Sequence, residues 1–175
     1  YAEVDESNNW RLKAPSSKVD EVLDIVEAAG NESIVVFAES RQLISLVEQA
    51  LSKEDIPYVS IHGDVSVDDR QIAVDRFQNK EVNVILLTLG AGGEGITLTE
   101  ADVMVFMQRS WSMVKNRQAE DRVHRIGLSR PVTIIDLIAP DTVEERLMEV
   151  LTDKDAKLEN LVQDQETIRR LLGVK

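Results

Sequence analysis

The chain has 175 residues, of which 43% are hydrophobic and 30% charged, so it can bury the core of one ordinary domain and is not a disordered tail. It has no cysteine and only 2 histidines, which excludes disulfides and thiolate metal sites and leaves no metal site to predict. Its net charge of −12 argues at first against a nucleic-acid partner.

Residues 1–17 show no periodicity and are interpreted as a linker or entering segment. Between residues 18 and 140, short apolar runs typical of buried strands alternate with amphipathic runs typical of helices. The expected strands are SIVVFAE, IPYVSIH, VNVILLTL, VMVFMQ and VTIIDLIA. This alternation predicts a three-layer α/β domain around a mainly parallel sheet of about five strands.

Local signals mark the ends of several helices. Gly30 should end the first, and Ser40 and Ser66 are the expected N-caps of the next two. Residues 141–175 are interpreted as a C-terminal helical extension, a helix or helix pair, that Asp141 opens with Glu144 in a capping box.

The ends of the chain and its hydropathy bear on its location. The first residue is Tyr1 and not Met, so we expect a fragment of a longer protein. No apolar run approaches the roughly 20 residues of a membrane span, and no signal peptide is evident. We therefore expect an intracellular protein with no membrane partner.

The charge is unevenly distributed along the chain. Residues 18–107 hold 6 basic and 17 acidic side chains, a balance of −11, whereas residues 108–131 hold 6 basic and 2 acidic ones, a balance of +4. A local basic patch can hold phosphates even where the net charge is negative. A nucleic-acid or nucleotide partner therefore stays open.

The glycine loop GAGGEG, residues 90–95, follows an expected strand and matches the dinucleotide-binding pattern G-x-G-x-x-G. That pattern also needs a covering helix before the next strand, and only ITLTEAD is available, so we reject this interpretation. The loop is either a tight strand connection that needs positive φ angles or a bare backbone that approaches a ligand, and both can hold.

The helix expected over SMVKNRQAEDRVHRI has two neighbouring stripes. Apolar side chains at i, i+4 and i+7 should face the core: Ala119, Val123 and Ile126. Gln118, Arg122 and Arg125 repeat the same spacing beside them. The arginines either bind phosphate, for which their planar fork is suited, or pair on a solvated face with acids such as Glu120 and Asp121.

Together these segments resemble the second RecA-like lobe of superfamily-two helicases, specifically of the Swi/Snf-type, remodeller-like DNA-dependent ATPases. QAEDRVHRIG resembles that family's last motif, Q-x-x-x-R-x-x-R-x-G, and TLGAGGEGITLTEAD resembles the motif before it. IVVFAES and IHGDVSVDDRQIAVDRFQ match two earlier motifs, with Gly63, Arg70 and Phe77 in the family's positions. The correspondence covers residues 18–158 in order, so residues 18–140 are identified as the RecA-like lobe.

The resemblance implies that ATP and Mg²⁺ are bound mainly by an N-terminal lobe that this sequence lacks. It implies that Arg125 acts as an arginine finger on the γ-phosphate and that Arg122 also points at the phosphates. Gln118 would couple the helix to the nucleotide. In the glycine loop, the backbone of Gly93, Glu94 and Gly95 would approach the ribose or the other lobe.

The resemblance also implies contacts to the backbone of double-stranded DNA, made without reading sequence. The residues that would make them follow the expected strands: Ser40, Arg41, His62, Gly63, Thr88, Leu89 and Trp111. Three departures from the family pattern suggest a divergent, microbial or viral member. Ser112-Met113 replaces Asn-Pro, Thr97 replaces Asn, and Leu128 replaces Gln.

The predicted function is the second motor lobe of an ATP-driven translocase on double-stranded DNA, inactive and monomeric by itself, with the N-terminal lobe of the same protein as partner. Two alternatives remain: a non-catalytic partner-binding module with the same fold, and an RNA-directed superfamily-two helicase lobe. The expected location is the cytoplasm of a microbe or virus-infected cell, or the nucleus of a eukaryote.

Overall fold

The computed structural model describes four stretches of this chain: residues 2–4, 10–91, 96–123 and 131–171. They divide into two units, residues 1–137 and residues 138–175, which are taken separately below. The sequence suggested that the helical extension starts at residue 141.

The first unit begins with a short antiparallel pair, β1 (Ala2–Val4) and β2 (Trp10–Leu12). The sequence here lacks periodicity and was interpreted as a linker or entering segment. The pair is joined to the rest of the unit, because the Leu12 amide donates a hydrogen bond of 2.7 Å to the Gln42 side chain. Such a contact across the chain leaves no local signal in the sequence.

A wholly parallel sheet of five strands follows, in the spatial order β4-β5-β3-β6-β7. The strands are β3 (Ile34–Ala38), β4 (Tyr58–Ile61), β5 (Val84–Thr88), β6 (Val103–Phe106) and β7 (Thr133–Asp136). The three central strands, β5, β3 and β6, are buried at every residue, which explains why they are continuous apolar runs and not alternating ones. The predicted fold class is confirmed.

Four helices cover the two faces of this sheet: α1 (Ser17–Ala29), α2 (Arg41–Lys53), α3 (Val67–Gln78) and α4 (Met113–Val123). Side chains of α1 and α2 pack with Val36 of β3 in one core, and side chains of α3 and α4 pack with Val35 in the other. Successive residues of a strand point to opposite faces, so β3 contributes side chains to both cores. In the second core, the rings of Phe37 and Phe106 stack with centroids 5.6 Å apart.

The helix ends follow the expected local chemistry. Ser40 and Ser66 are the N-caps of α2 and α3, and their side-chain oxygens accept hydrogen bonds from the amides of Leu43 and Asp69 at 3.4 and 3.2 Å. Gly30 ends α1 with a φ angle of 59°, a backbone conformation that favours glycine. The predictions for Gly30, Ser40 and Ser66 are confirmed.

The second unit consists of a turn and one long helix, α5 (Val143–Leu171). The predicted cap at Asp141 is wrong: this residue has a φ angle of 58° in the preceding turn. The hydroxyl of Thr142 caps the helix instead and accepts from the Glu144 amide at 3.2 Å. The Glu144 carboxylate accepts a hydrogen bond from the Ala139 amide. Glu144 therefore caps the turn as expected of the acid in a capping box, but its partner is Ala139 and not Asp141.

No helix in the described part of the chain is both long and apolar enough to cross a membrane.

The fold depends on the core under α3. Phe77 is fully buried there, and Phe77→Ala should lower the free energy of unfolding by about 3–5 kcal/mol because it removes buried apolar surface and leaves a cavity. Urea unfolding of this chain measures the change. Ile72→Ala, on the same helix but 56% exposed, is the control and should change it by no more than about 0.5 kcal/mol. Equal effects of the two substitutions would contradict this packing.

Candidate functional site

Because the five strands are parallel, their carboxyl ends and the loops after them meet at one edge of the sheet. Each predicted DNA-contact residue ends or follows one of the strands β3, β4, β5 and β6 at this edge: Ser40, Arg41, His62, Gly63, Thr88, Leu89 and Trp111. We call it the carboxyl edge.

The loop between β6 and α4, which carries Trp111, is held at several points. The Met107 amide donates to the Phe37 carbonyl at 2.8 Å, and the Gln108 side chain accepts from the Ser40 amide at 3.1 Å. Trp111 nevertheless stays 56% exposed. A large aromatic side chain on a well-anchored loop is suited to contact with a partner, because little side-chain or loop entropy is lost on binding.

Asn116 of α4 provides a further anchor that the sequence interpretation missed. Its side-chain oxygen accepts from the Ser110 amide and its side-chain nitrogen donates to the Ser110 carbonyl, both at 2.9 Å. Asn116 is buried on the same stripe as Ala119 and Val123. An asparagine at a core position of a helix is a poor helix former, and that signal could have identified it.

Arg41, at the start of α2, is already engaged within the chain. Its NH1 nitrogen donates to the Ser45 hydroxyl at 2.8 Å and to the Glu48 carboxylate at 3.0 Å. The Asp64 carboxylate lies 3.8 Å from its Nε and 3.4 Å from Nδ1 of the buried His62. Arg41 and His62 thus share a cluster with two acids, and a DNA phosphate would have to compete with them.

Thr88 and Leu89 are only 8% and 7% exposed, so contact with a partner through their side chains is restricted. The Leu89 amide is itself used, in a 2.9 Å hydrogen bond to the Ala38 carbonyl. The structure thus brings these two residues to the carboxyl edge but keeps them mostly inside it.

Arg70 of α3 organises the loop after β4. Its guanidinium donates to three carbonyl oxygens, those of Val65 at 2.9 Å, His62 at 3.1 Å and Ala91 at 3.4 Å. It therefore joins the loop that carries His62 and Gly63 to the start of the glycine loop. Arg70 matches a position of the family pattern, but its role as a bridge between these two loops depends on the tertiary structure.

On α4 the expected stripes are present over the described residues. Ala119 and Val123 are buried, Gln118 is exposed, and Arg122 is half-buried between them. Arg125 and Ile126 lie outside the described residues, as do Gly93, Glu94 and Gly95 of the glycine loop.

The guanidinium of Arg122 has an unusual environment. Its Nε donates to the Gln118 carbonyl at 3.1 Å, whereas its NH1 nitrogen is buried and has no hydrogen-bond partner among the described residues. Burial lowers the pKa of Arg122, although an arginine remains charged near neutral pH. A buried, charged donor without a partner is costly unless an anion satisfies it.

The end of α4 is joined to the segment after the glycine loop. The Leu98 amide donates to the Arg122 carbonyl at 2.8 Å. The two segments that the resemblance assigned to the nucleotide thus meet at Arg122.

Arg109, three residues after the end of β6, pairs with two acids. Its Nε and NH2 nitrogens bind both oxygens of Asp136 at 2.5 and 3.1 Å, and NH1 binds Glu120 at 2.6 Å. Burial by itself lowers the pKa of Arg109, but the hydrogen bonds and charges of Asp136 and Glu120 outweigh it and raise that pKa. Glu120, one acid considered as a partner for the helix arginines, is thus bound elsewhere.

The guanidinium of Arg122 suits an anionic ligand and not a cation. The buried NH1 nitrogen of Arg122 has no partner among the described residues, and a phosphate oxygen would be a suitable one. Within the described residues, no group of three or more His, Cys, Asp or Glu side chains is arranged to hold a metal ion.

Comparison with known proteins agrees with this geometry. The profile of the helicase conserved C-terminal domain matches residues 17–127. The chain is 36% identical over 140 residues to the chromatin-remodeling ATPase INO80 of Aspergillus oryzae, a match covering 79% of this chain and 10% of that protein. It is 32% identical over 157 residues to the ATP-dependent helicase fft1 of Schizosaccharomyces pombe, covering 89% of this chain and 17% of that protein.

A solved structure is similar as well. The C-terminal part of the Fun30 ATPase domain superposes with a TM-score of 0.70 at 30% sequence identity, covering 77% of this chain and 45% of that one. The chain matches only 10% to 17% of the length of the two curated relatives named above. The matched profile, the parallel sheet and α4, the arginine helix, agree, and this chain belongs to the helicase conserved C-terminal domain family, as a RecA-like lobe of the Swi/Snf type.

Proposed function

We propose that this lobe is the second half of an ATP-driven motor that moves along double-stranded DNA, and that it completes an ATP site held mainly by an N-terminal lobe. The observation that carries the proposal is the buried NH1 nitrogen of Arg122, which has no partner among the described residues and lies where the two nucleotide motifs meet. Within the part of the lobe that the structure describes this nitrogen is unsatisfied, and we expect a phosphate oxygen presented by the other lobe to satisfy it.

In the proposed reaction, water attacks the γ-phosphorus of ATP, the bond to the bridging oxygen breaks, and ADP leaves with the electron pair. The transition state spreads negative charge over the phosphoryl oxygens. Arg122 and Arg125 would neutralise that charge from across the cleft, with Arg125 as the finger. Arginine is suited to this role because it keeps its charge and offers parallel donors.

The other groups of the proposed nucleotide site are also divided between the two lobes. Gln118 lies one helical turn before Arg122 and would couple α4 to the nucleotide. The backbone of Gly93, Glu94 and Gly95 would approach the ribose or the other lobe. Mg²⁺ would be held by carboxylates of the other lobe and by the ATP phosphates. By itself the chain would be an inactive monomer.

For DNA we propose the carboxyl edge as the contact surface. Trp111 would press against sugars or bases, while small groups and amides at Ser40 and Gly63 would reach phosphates without reading sequence. Several cations of this surface are already paired, because Arg41 binds Glu48 and Lys115 binds Glu39 at 3.3 Å. The lobe alone should therefore bind DNA weakly, and tight binding should need the second lobe.

The similarity to DNA-directed motors supports this proposal over the two alternatives. One relative is called a chromatin-remodeling ATPase and the other an ATP-dependent helicase. A partner-binding module has no need of an unsatisfied arginine beside a nucleotide motif. The chromatin relatives also favour an intracellular, nuclear location and lend nothing to the cytoplasmic alternative.

The ATPase proposal predicts that this chain alone shows no DNA-stimulated turnover, whereas a longer protein that restores an N-terminal lobe does. In the longer protein, Arg125→Ala and Arg122→Ala should each lower kcat by about 10³-fold or more, because each removes charge stabilisation of the transition state. Arg76→Ala is the control, since it removes an exposed arginine that pairs with Glu81 at 3.6 Å. Steady-state phosphate release with saturating DNA measures kcat.

Two results would contradict the finger role. Near-full turnover by both finger variants would mean that the charge is supplied elsewhere. A large loss of stability in this chain with Arg122→Ala, detected by urea unfolding, would mean that Arg122 is a structural contact.

The DNA proposal predicts that Trp111→Ala weakens binding of the longer protein to duplex DNA by about 1.5–3 kcal/mol, because the burial of an exposed aromatic side chain against the DNA backbone is lost. The loss should be equal for duplexes of unrelated sequence, measured by fluorescence anisotropy at one fixed salt concentration. Ile72→Ala removes an exposed apolar side chain from α3 and should leave the affinity unchanged. A loss confined to one sequence would point to base readout and against a backbone contact.

A further inference from the structure

The side chain of Arg109 contacts three elements of the fold: the strands β6 and β7 and the helix α4. It binds Asp136 on the edge strand β7 with two parallel hydrogen bonds and Glu120 on α4 with a third. Its guanidinium carbon lies 4.0 Å from the centre of the Phe106 ring, and the side chain is only 14% exposed. Because all three nitrogens of the guanidinium donate hydrogen bonds and one of its faces lies over a ring, its orientation is strongly restricted.

The register of the sheet explains this arrangement. Phe106 of β6 is paired with Asp136 of β7, so both side chains lie on the face that α4 covers. Arg109 folds back over the Phe106 ring to reach that carboxylate and extends its third nitrogen to the helix. A lysine could not reproduce this bridge, because it lacks the planar fork that binds two carboxylates at once.

The contacts along α4 are spaced so that they restrain the whole helix. Asn116 holds its first half to the loop after β6, and Glu120 holds its second half to Arg109. Arg122 follows Glu120 by two residues, about 3 Å along the helix axis. A change in the Glu120 contact therefore moves the Arg122 backbone directly.

We propose that Arg109 is a positioning residue for ATP hydrolysis, which holds α4 at the rotation and axial position that direct Arg122 toward the nucleotide. This inference rests on the proposed function. Arg109 itself does not contact the nucleotide. Without it, the carboxylates of Asp136 and Glu120 would repel each other, so α4 would shift away from β7 and not merely loosen.

The first test needs no catalysis. Hydrogen exchange of this 175-residue chain should show faster exchange of the α4 amides after Arg109→Ala, with the α1 and α2 amides unchanged. Glu120→Ala removes the helix contact but keeps the bonds to Asp136, and it should have the same local effect with less loss of stability. Arg76→Ala serves as the control and should leave α4 exchange unchanged.

The second test uses the longer protein with both lobes. Arg109→Ala should lower kcat by about 10- to 100-fold, the expected result of misplacing a catalytic group by about 1 Å. The KM for ATP and the affinity for DNA should stay within about twofold, because binding groups are untouched. Arg109→Lys should give an intermediate kcat, since it restores one ion pair and not the bridge.

A double-mutant cycle separates positioning from general stability. If Arg109 acts through Arg122, adding Arg109→Ala to Arg122→Ala should lower the single-turnover rate no further. If the two substitutions together lower the rate by the product of their separate effects, the proposal is overturned. It is also overturned if Arg109→Ala leaves the hydrogen exchange of α4 unchanged, or leaves kcat unchanged in an active longer protein. Absence of turnover in the unmodified longer protein would overturn the proposed function, and the positioning role for ATP hydrolysis with it.

Discussion

The parallel direction of the five sheet strands is the constraint on which the rest of this structure depends. Parallel strands need a crossover between each pair, so helices cover both faces and the central strands become continuous apolar runs. The same direction collects the loops after four strands at the carboxyl edge. Segments that are far apart in sequence, such as those around Ser40, His62 and Trp111, thereby become parts of one surface.

The carboxyl edge is well anchored, and many of its charges are internally satisfied. Arg70 and Asn116 use their polar groups on backbone atoms of the loops, while Arg41 is paired with Glu48. Such pairing makes the proposed DNA contact compatible with a net charge of −12, because acids beside the cations should keep the affinity of the lobe alone low. Arg122 departs from this pattern, because its buried NH1 nitrogen has no partner among the described residues, and the proposed split nucleotide site would provide one.

The arginine helix also shows how precision is achieved across the edge of a sheet. A helix packed only through Ala119 and Val123 could slide, because small apolar contacts are not directional. The hydrogen bonds of Asn116 and Glu120 are directional, and they restrain α4 at two points one turn apart. A group that must meet charge developing on a phosphoryl oxygen benefits from such support, since small displacements are costly.

The sequence by itself determined the class of fold, the helix caps at Ser40 and Ser66, and the buried stripe of α4, because these follow from local periodicity and capping. The order of its motifs also determined the family. The cap of α5 was assigned one residue too early, since a turn with positive φ at Asp141 outweighed the local pattern. Only the tertiary structure decided which partner each polar side chain takes. Arg109 and Asp136 are 27 residues apart, and Ser40 and Gln108 are 68 apart, so their pairing depends on strand order and register, which no local pattern contains.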